Sequence, residues 1–186
     1  MRVLGVDPGS AVCGYGAVER RSGELRFIAA GTIRSASLEP GPKRLKRIHE
    51  NLVRIIGEFA PNAISLERHF LAANVHSAFR LGEARAMAML AAAEQDIPLF
   101  EYPPNQVKLA VAGHGHAGKA DVKAMIRRLL KLEELVELSN DAADALAIAI
   151  CHINRGNSPR LSESVVRHRG AMTPGSEGRL RPAVRR

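Results

Sequence analysis

Apolar positions along the chain change their period several times. From Val3 to Val6 they run almost unbroken and rich in β-branched residues, then stop at Asp7-Pro8-Gly9, which predicts a short buried strand closed by a turn. Strand-like composition returns at Tyr15 to Val18 and, after Ser22-Gly23, from Leu25 to Ile33. Such short turns predict a meander of three antiparallel strands. From Pro42 the apolar residues Leu45, Ile48, Leu52, Ile55, Ile56 and Phe59 recur at three- and four-residue steps, with Lys43, Arg44, Lys46, Arg47 and Arg54 on the polar positions. This is the period of an amphipathic helix, and it should end before Pro61.

A second strand-like run, Ala63 to Glu67, ends in an acid as the first one does. Following a helix, it should lie parallel to the opening strand, which brings Glu67 to the same sheet edge as Asp7. An Ala-rich helix is expected from about Asn74 to Gln95, and a fifth strand from Ile97 to Tyr102. The small residues Ala84, Ala86, Ala88, Ala91 and Ala92 suit either core packing or a contact with a second copy. Pro103-Pro104 opens another helical piece, and Gly113 to Lys119, with three glycines in seven residues, predicts a mobile loop. Beyond it Val122, Met125, Ile126, Leu129 and Leu130 mark one helix face, and Glu133 to Ser139 reads as a connector. Asn140 is then placed to cap a last helix, Asp141 to about Asn154, with Leu146, Ile150 and Ile153 directed inward. The fold class expected is α/β: a five-stranded mixed sheet, three antiparallel strands and then parallel ones, flanked by helices.

Composition narrows this further. With 186 residues, 46% of them hydrophobic, the chain suits one globular domain, expected over residues 1–154. Gly, Pro, Ser and Arg dominate afterwards, so residues 155–186 are expected to form a basic disordered tail. That tail holds eight Arg against Glu163 and Glu177, or +6 of the net +8, which leaves the fold close to neutral. A polyanionic partner is suggested. Cys13 and Cys151 match no ligand or CxxC spacing and read as reduced, partly buried side chains. The first ten residues lack a signal-peptide core and nothing is long and apolar enough to span a bilayer, so a cytoplasmic location is expected.

The candidate chemistry is acidic. Asp141 and Asp144 stand three apart at the start of the last helix, on one face and among small residues. Acids there also complement a helix dipole, and an Asp before Pro-Gly also starts turns. Together with Asp7 and Glu67, however, they give four carboxylates that the topology can bring together. Such a group needs cations, and hard oxygen donors without His or Cys suit Mg²⁺ or Mn²⁺. Two such ions about 4 Å apart would hold a phosphodiester, activate a water and stabilise the leaving 3′ oxygen.

The stretches Gly5-Val6-Asp7-Pro8-Gly9-Ser10 with Gly14-Tyr15-Gly16, Leu66-Glu67 with Phe70, Gln106-Val107-Lys108, and Asp141-Ala142-Ala143-Asp144-Ala145-Leu146-Ala147 together resemble the RuvC Holliday-junction resolvases. The likeness runs to about residue 154. It implies an RNase H-like fold and a homodimer that resolves four-way DNA junctions in recombination and repair, making paired symmetric nicks with Mg²⁺ and leaving 5′-phosphate ends. It also implies a complex with the RuvA and RuvB branch-migration proteins. By the same likeness Asp7, Glu67, Asp141 and Asp144 would be the catalytic, metal-binding acids, and Lys108 and Lys119 would contact the scissile or a flanking phosphate. Phe70 would stack on an unpaired base near the crossover, although core packing is its ordinary alternative. Arg68, His69, His114 and His116 depart from the pattern or are not diagnostic of it.

Rival readings remain. Gly113 to Lys119 nearly fits a P-loop, but Ala120 stands where an NTPase needs a metal-binding hydroxyl. An actin-like ATPase shares the opening Asp-x-Gly device but needs two such lobes. An RNase H-like nuclease without junction selectivity and a non-catalytic DNA-binding module complete the set.

Overall fold

The computed structural model describes residues 1–9, 11–36, 39–68, 75–133 and 135–155. Strands β1 (Arg2–Asp7), β2 (Val12–Arg21) and β3 (Glu24–Arg34) form the expected antiparallel meander. Ser22 and Gly23 both have positive φ, 52° and 86°, so the β2–β3 hairpin turns with the hand that matches strand twist. Helix α1 (Gly41–Phe59) follows, and it ends at Ala60 in the left-handed region, whose N–H bonds to Ile56 O at 2.8 Å ahead of Pro61. Strand β4 (Ala63–Glu67) then pairs parallel with β1, and after helix α2 (Val75–Glu94) strand β5 (Leu99–Tyr102) pairs parallel with β4. The sheet order is β3-β2-β1-β4-β5, a mixed sheet as the sequence predicted. Helices α3 (Pro104–Ala112), α4 (Lys119–Leu129) and α5 (Asn140–Arg155) complete the described fold.

Alternation along the strands divides the interior in two. On one face Leu4, Val6, Ala17 and Ile64 pack with Ile48, Leu52 and Ile55 of α1 and Ala84, Ala88, Ala91 and Ala92 of α2. On the other face α5 lies across the sheet, with α3 and α4 against it through Val107, Val111, Val122 and Ile126. Nearly all of α5 is buried, Leu146, Ile150 and Ile153 included. No helix of the described residues is long and apolar enough to cross a membrane.

Several expectations change in detail. Ala84, Ala88, Ala91 and Ala92 are core residues facing the sheet and α1, and of that alanine set Ala86 alone is exposed. Arg44 is no solvated charge: it is buried and bonds to Glu83 of α2 at 2.5 Å, because a guanidinium can bury its stem and still find a carboxylate. Lys119 opens α4 and is not part of the glycine loop. The cap of α5 is Ser139, whose Oγ accepts from Ala142 N–H at 3.2 Å; Asn140 instead accepts from Lys123 Nζ at 3.3 Å. Both cysteines are free and fully buried. Arg155, expected to begin the tail, is instead the last residue of α5; residues 156–186 of that tail lie outside the described residues, as does Phe70.

Candidate active site

The register of the central strands sets the first half of the site. Val3 pairs with Ala63 and Val6 with Leu66, so one step further on Asp7 and Glu67 are neighbours at the carboxyl edge of β1 and β4. Residues Gly5, Asp7, Ser65 and Glu67 share one face by alternation. That face is the one α5 covers.

Three glycines let α5 come down onto it. A Cβ built on Gly5 would lie 2.0 Å from Ala145 O, one on Gly14 2.1 Å from Asp141 O, and one on Gly16 2.7 Å from Leu146 Cγ. No side chain fits in those places. Gly5 pairs with Gly16, and Asp7 with Gly14, so the bare patch runs across β1 and β2 directly beside Asp7. The backbone of α5 therefore rests on backbone, and its first turn, with Asp141, is seated at the tip of β1. Glycines at alternate strand positions are the sequence signal for this approach.

The acids feel one another there. Asp144 has its pKa raised above the ordinary aspartate value, first by burial; Lys119 pulls it down, Glu67 and Asp141 push it up, and Lys108 pulls it down. Burial pushes the Cys13 thiol up to about 12, with help from the charge of Asp7 and, more weakly, of Asp141. Asp7 and Asp141 thus share one neighbour, and Glu67 and Asp141 both act on Asp144. The structure brings together at one sheet edge the four acids and two lysines singled out in the sequence. Lys119 Nζ stands 3.9 Å from Asp144 Oδ2 on a largely exposed stem, and Lys108 is half-buried on α3. His114 and His116 are exposed in the loop before α4.

The carboxylates share a field without closing into a cage: among the described residues no three His, Cys, Asp or Glu groups are gathered tightly enough to hold a metal ion unaided. Their donor set, all oxygen with no nitrogen or sulfur, nonetheless suits a hard divalent cation. The P-loop reading does not survive. A phosphate loop of that kind follows a strand, whereas Gly113 follows helix α3 and is its left-handed C-cap, with φ of 81°.

Behind the edge, Tyr102 pairs in register with Glu67, and its carbonyl accepts from Arg68 N–H at 2.8 Å. Its hydroxyl shares a 2.7 Å hydrogen bond with Nδ1 of His152 on α5, a buried histidine whose pKa desolvation lowers to about 4. This neutral pair ties the last strand to the helix that carries the aspartates.

Comparisons with known proteins agree with this fold. Residues 3–152 match the family model described as crossover junction endodeoxyribonuclease RuvC. A protein of that name from Trichlorobacter lovleyi is 46% identical over 83% of this chain and 85% of its own length. One from Thermotoga petrophila is 41% identical over 87% and 98%. Among solved structures, T. thermophilus RuvC in complex with a Holliday junction substrate superposes with a TM-score of 0.79 at 36% identity, covering 84% of this chain and 94% of that one.

Proposed function

The chain belongs to the RuvC family of crossover junction endodeoxyribonucleases, and on that premise we propose that it resolves four-way DNA junctions by metal-dependent phosphodiester hydrolysis at Asp7, Glu67, Asp141 and Asp144. The observation that supports the assignment of residues is the seating of α5 on Gly5, Gly14 and Gly16, which sets its first turn beside the edge that Asp7 and Glu67 share. In this reading those four side chains hold two Mg²⁺, with Mn²⁺ able to substitute. When bound, the ions supply a nucleophilic water and neutralise charge on the leaving 3′ oxygen. Burial and the neighbouring Glu67 and Asp141 disfavour the charged form of Asp144, so bound cations would relieve that carboxylate. Lys119 and Lys108 offset part of the acid charge and would contact the scissile or a flanking phosphate.

A junction has two equivalent strands to nick, so two copies of the site are needed. The exposed face of α2 supports a homodimer. Phe79, Ala86, Leu90 and Ala93 follow one another at helical spacing, and Phe79 and Leu90 are 69% and 46% exposed. Branch-migration proteins of the RuvA and RuvB kind would act on the same DNA, and the basic residues 155–186 would add non-specific hold on it.

The test is cleavage of a synthetic four-way junction in Mg²⁺ against duplex and single strands of the same sequence. Paired nicks confined to the junction are expected, and Asp7→Asn should abolish them while junction binding persists. Equal cutting of all three substrates would leave a nuclease without junction selectivity. Unfolding of Asp141→Asn, rather than inactivity in a folded protein, would mean that this acid serves the helix end and not the reaction.

A further inference from the structure

Helix α4 carries Lys119, Lys123 and Arg127 at four-residue steps, so the three cations form one ridge. Each reaches a successive part of the first turns of α5 or of the connector before it. Lys119 Nζ faces Asp144 at 3.9 Å, and Lys123 Nζ donates to Asn140 Oδ1 at 3.3 Å. Arg127 donates from Nη1 to Glu133 O at 2.9 Å and from Nη2 to Val136 O. The opposite side of α4 is fixed, since Val122 and Ile126 are buried in the same cluster as Ala142 and Leu146. Only three residues separate Val136 from Asn140, where α5 begins. Leu138 between them is buried and Ser139 caps the helix.

We propose that Arg127 is a positioning residue for the acid pair: by holding two carbonyls of the connector with one rigid fork, it fixes the entry of α5 and hence the places of Asp141 and Asp144 at the sheet edge. The inference rests on the reading of the four acids as a metal site. Lysine cannot replace the fork, because a single ammonium is a point charge and does not present two fixed N–H directions. Exposed Arg128, the next residue, has the same charge and none of these bonds to the connector, which makes it the control.

The experiment compares Arg127→Ala, Arg127→Lys and Arg128→Ala with the full-length wild type. Four readouts are taken: junction affinity without Mg²⁺, single-turnover cleavage at saturating junction across a Mg²⁺ titration, melting temperature, and the rise in melting temperature that Mg²⁺ alone produces. For Arg127→Ala the cleavage rate should fall by tenfold to about a hundredfold, since small misplacements of reacting groups cost that much. Its Mg²⁺ midpoint should move up about tenfold, as for loss of a group that orients metal ligands. The Mg²⁺-induced rise in melting temperature should shrink, junction affinity should match that of Arg128→Ala, and Arg127→Lys should fall between. A lower melting temperature with an unchanged rate per folded molecule and an unchanged Mg²⁺ midpoint would overturn the proposal in favour of a simple brace. Equal loss of junction affinity in the two alanine variants, with turnover intact, would make Arg127 a phosphate contact instead. Should Arg127→Ala not fold, Arg127→Lys decides, and a wild-type metal response in it sinks the idea. If the wild type cuts no junction, the functional reading fails, while the Mg²⁺ melting response still decides on Arg127.

Discussion

The two faces of the sheet hold their helices by different means. On the α5 face backbone meets backbone over Gly5, Gly14 and Gly16, and the helix is buried almost end to end. On the α1 and α2 face small alanines fill the middle and polar side-chain pairs join the elements: Arg44 to Glu83, His49 to Glu94 at 2.8 Å, and Arg85 to Glu101. Long, jointed side chains tolerate shifts of an ångström; a carbonyl lying on a strand does not. A site that must align groups to a fraction of an ångström belongs on the first kind of face. An interaction surface can be built on the second.

One methyl group added between α5 and the sheet and one added on the solvent side of α1 should differ most sharply. Gly5→Ala forces a Cβ into the space of Ala145 O and should cost about 3 kcal/mol, together with the alignment of the acids. Gly57→Ala on α1 meets nothing within 4 Å and should instead stabilise by about 0.5–1 kcal/mol, because glycine is a poor helix residue. Denaturant unfolding of the two variants checks both signs. Equal costs would show that the α5 face can yield after all.

Acidification probes the α5 face next. The folded-state pKa of His152 is lowered from 6.5 to about 4, so between those values the unfolded chain binds the extra proton and stability is lost as pH falls. The full effect, about 3 kcal/mol, is reached below pH 4. His152→Gln should flatten the slope of unfolding free energy against pH in that window, and an unchanged slope would place its origin elsewhere.

On the other face, Glu83→Ala strips a carboxylate from buried Arg44 and should cost about 1.5 kcal/mol by chemical unfolding, half or less of the Gly5→Ala effect. A larger loss would mean that charge, and not alanine packing, fastens α2.

The smallest stability effect has an unusual sign. Since the pKa of Asp144 is raised, its charged form costs stability at neutral pH, and that cost is relieved as pH falls through the folded-state value. Asp144→Asn should therefore melt slightly higher than wild type at neutral pH, the gain fading towards the ordinary aspartate value of 3.8, while cleavage drops by orders of magnitude. A variant that is both inactive and less stable would point to a structural role for this carboxylate.

The amino-acid sequence by itself determined the order of elements, the antiparallel meander and the parallel return of β4, and it singled out the four acids as the candidates for chemistry. Each of these follows from local period, from turn residues, or from an acid closing an apolar run, and the pairing of Asp7 with Glu67 needed only the parallel rule. What the tertiary structure alone decided is how near α5 comes to the sheet, that Ser139 and not Asn140 caps it, that Arg44 lies inside, and that Arg127 braces the connector. Those outcomes depend on the shape of a surface contributed by residues far away in the chain. A period along the sequence reports which side of an element is apolar, but not how closely the facing surface lets it approach.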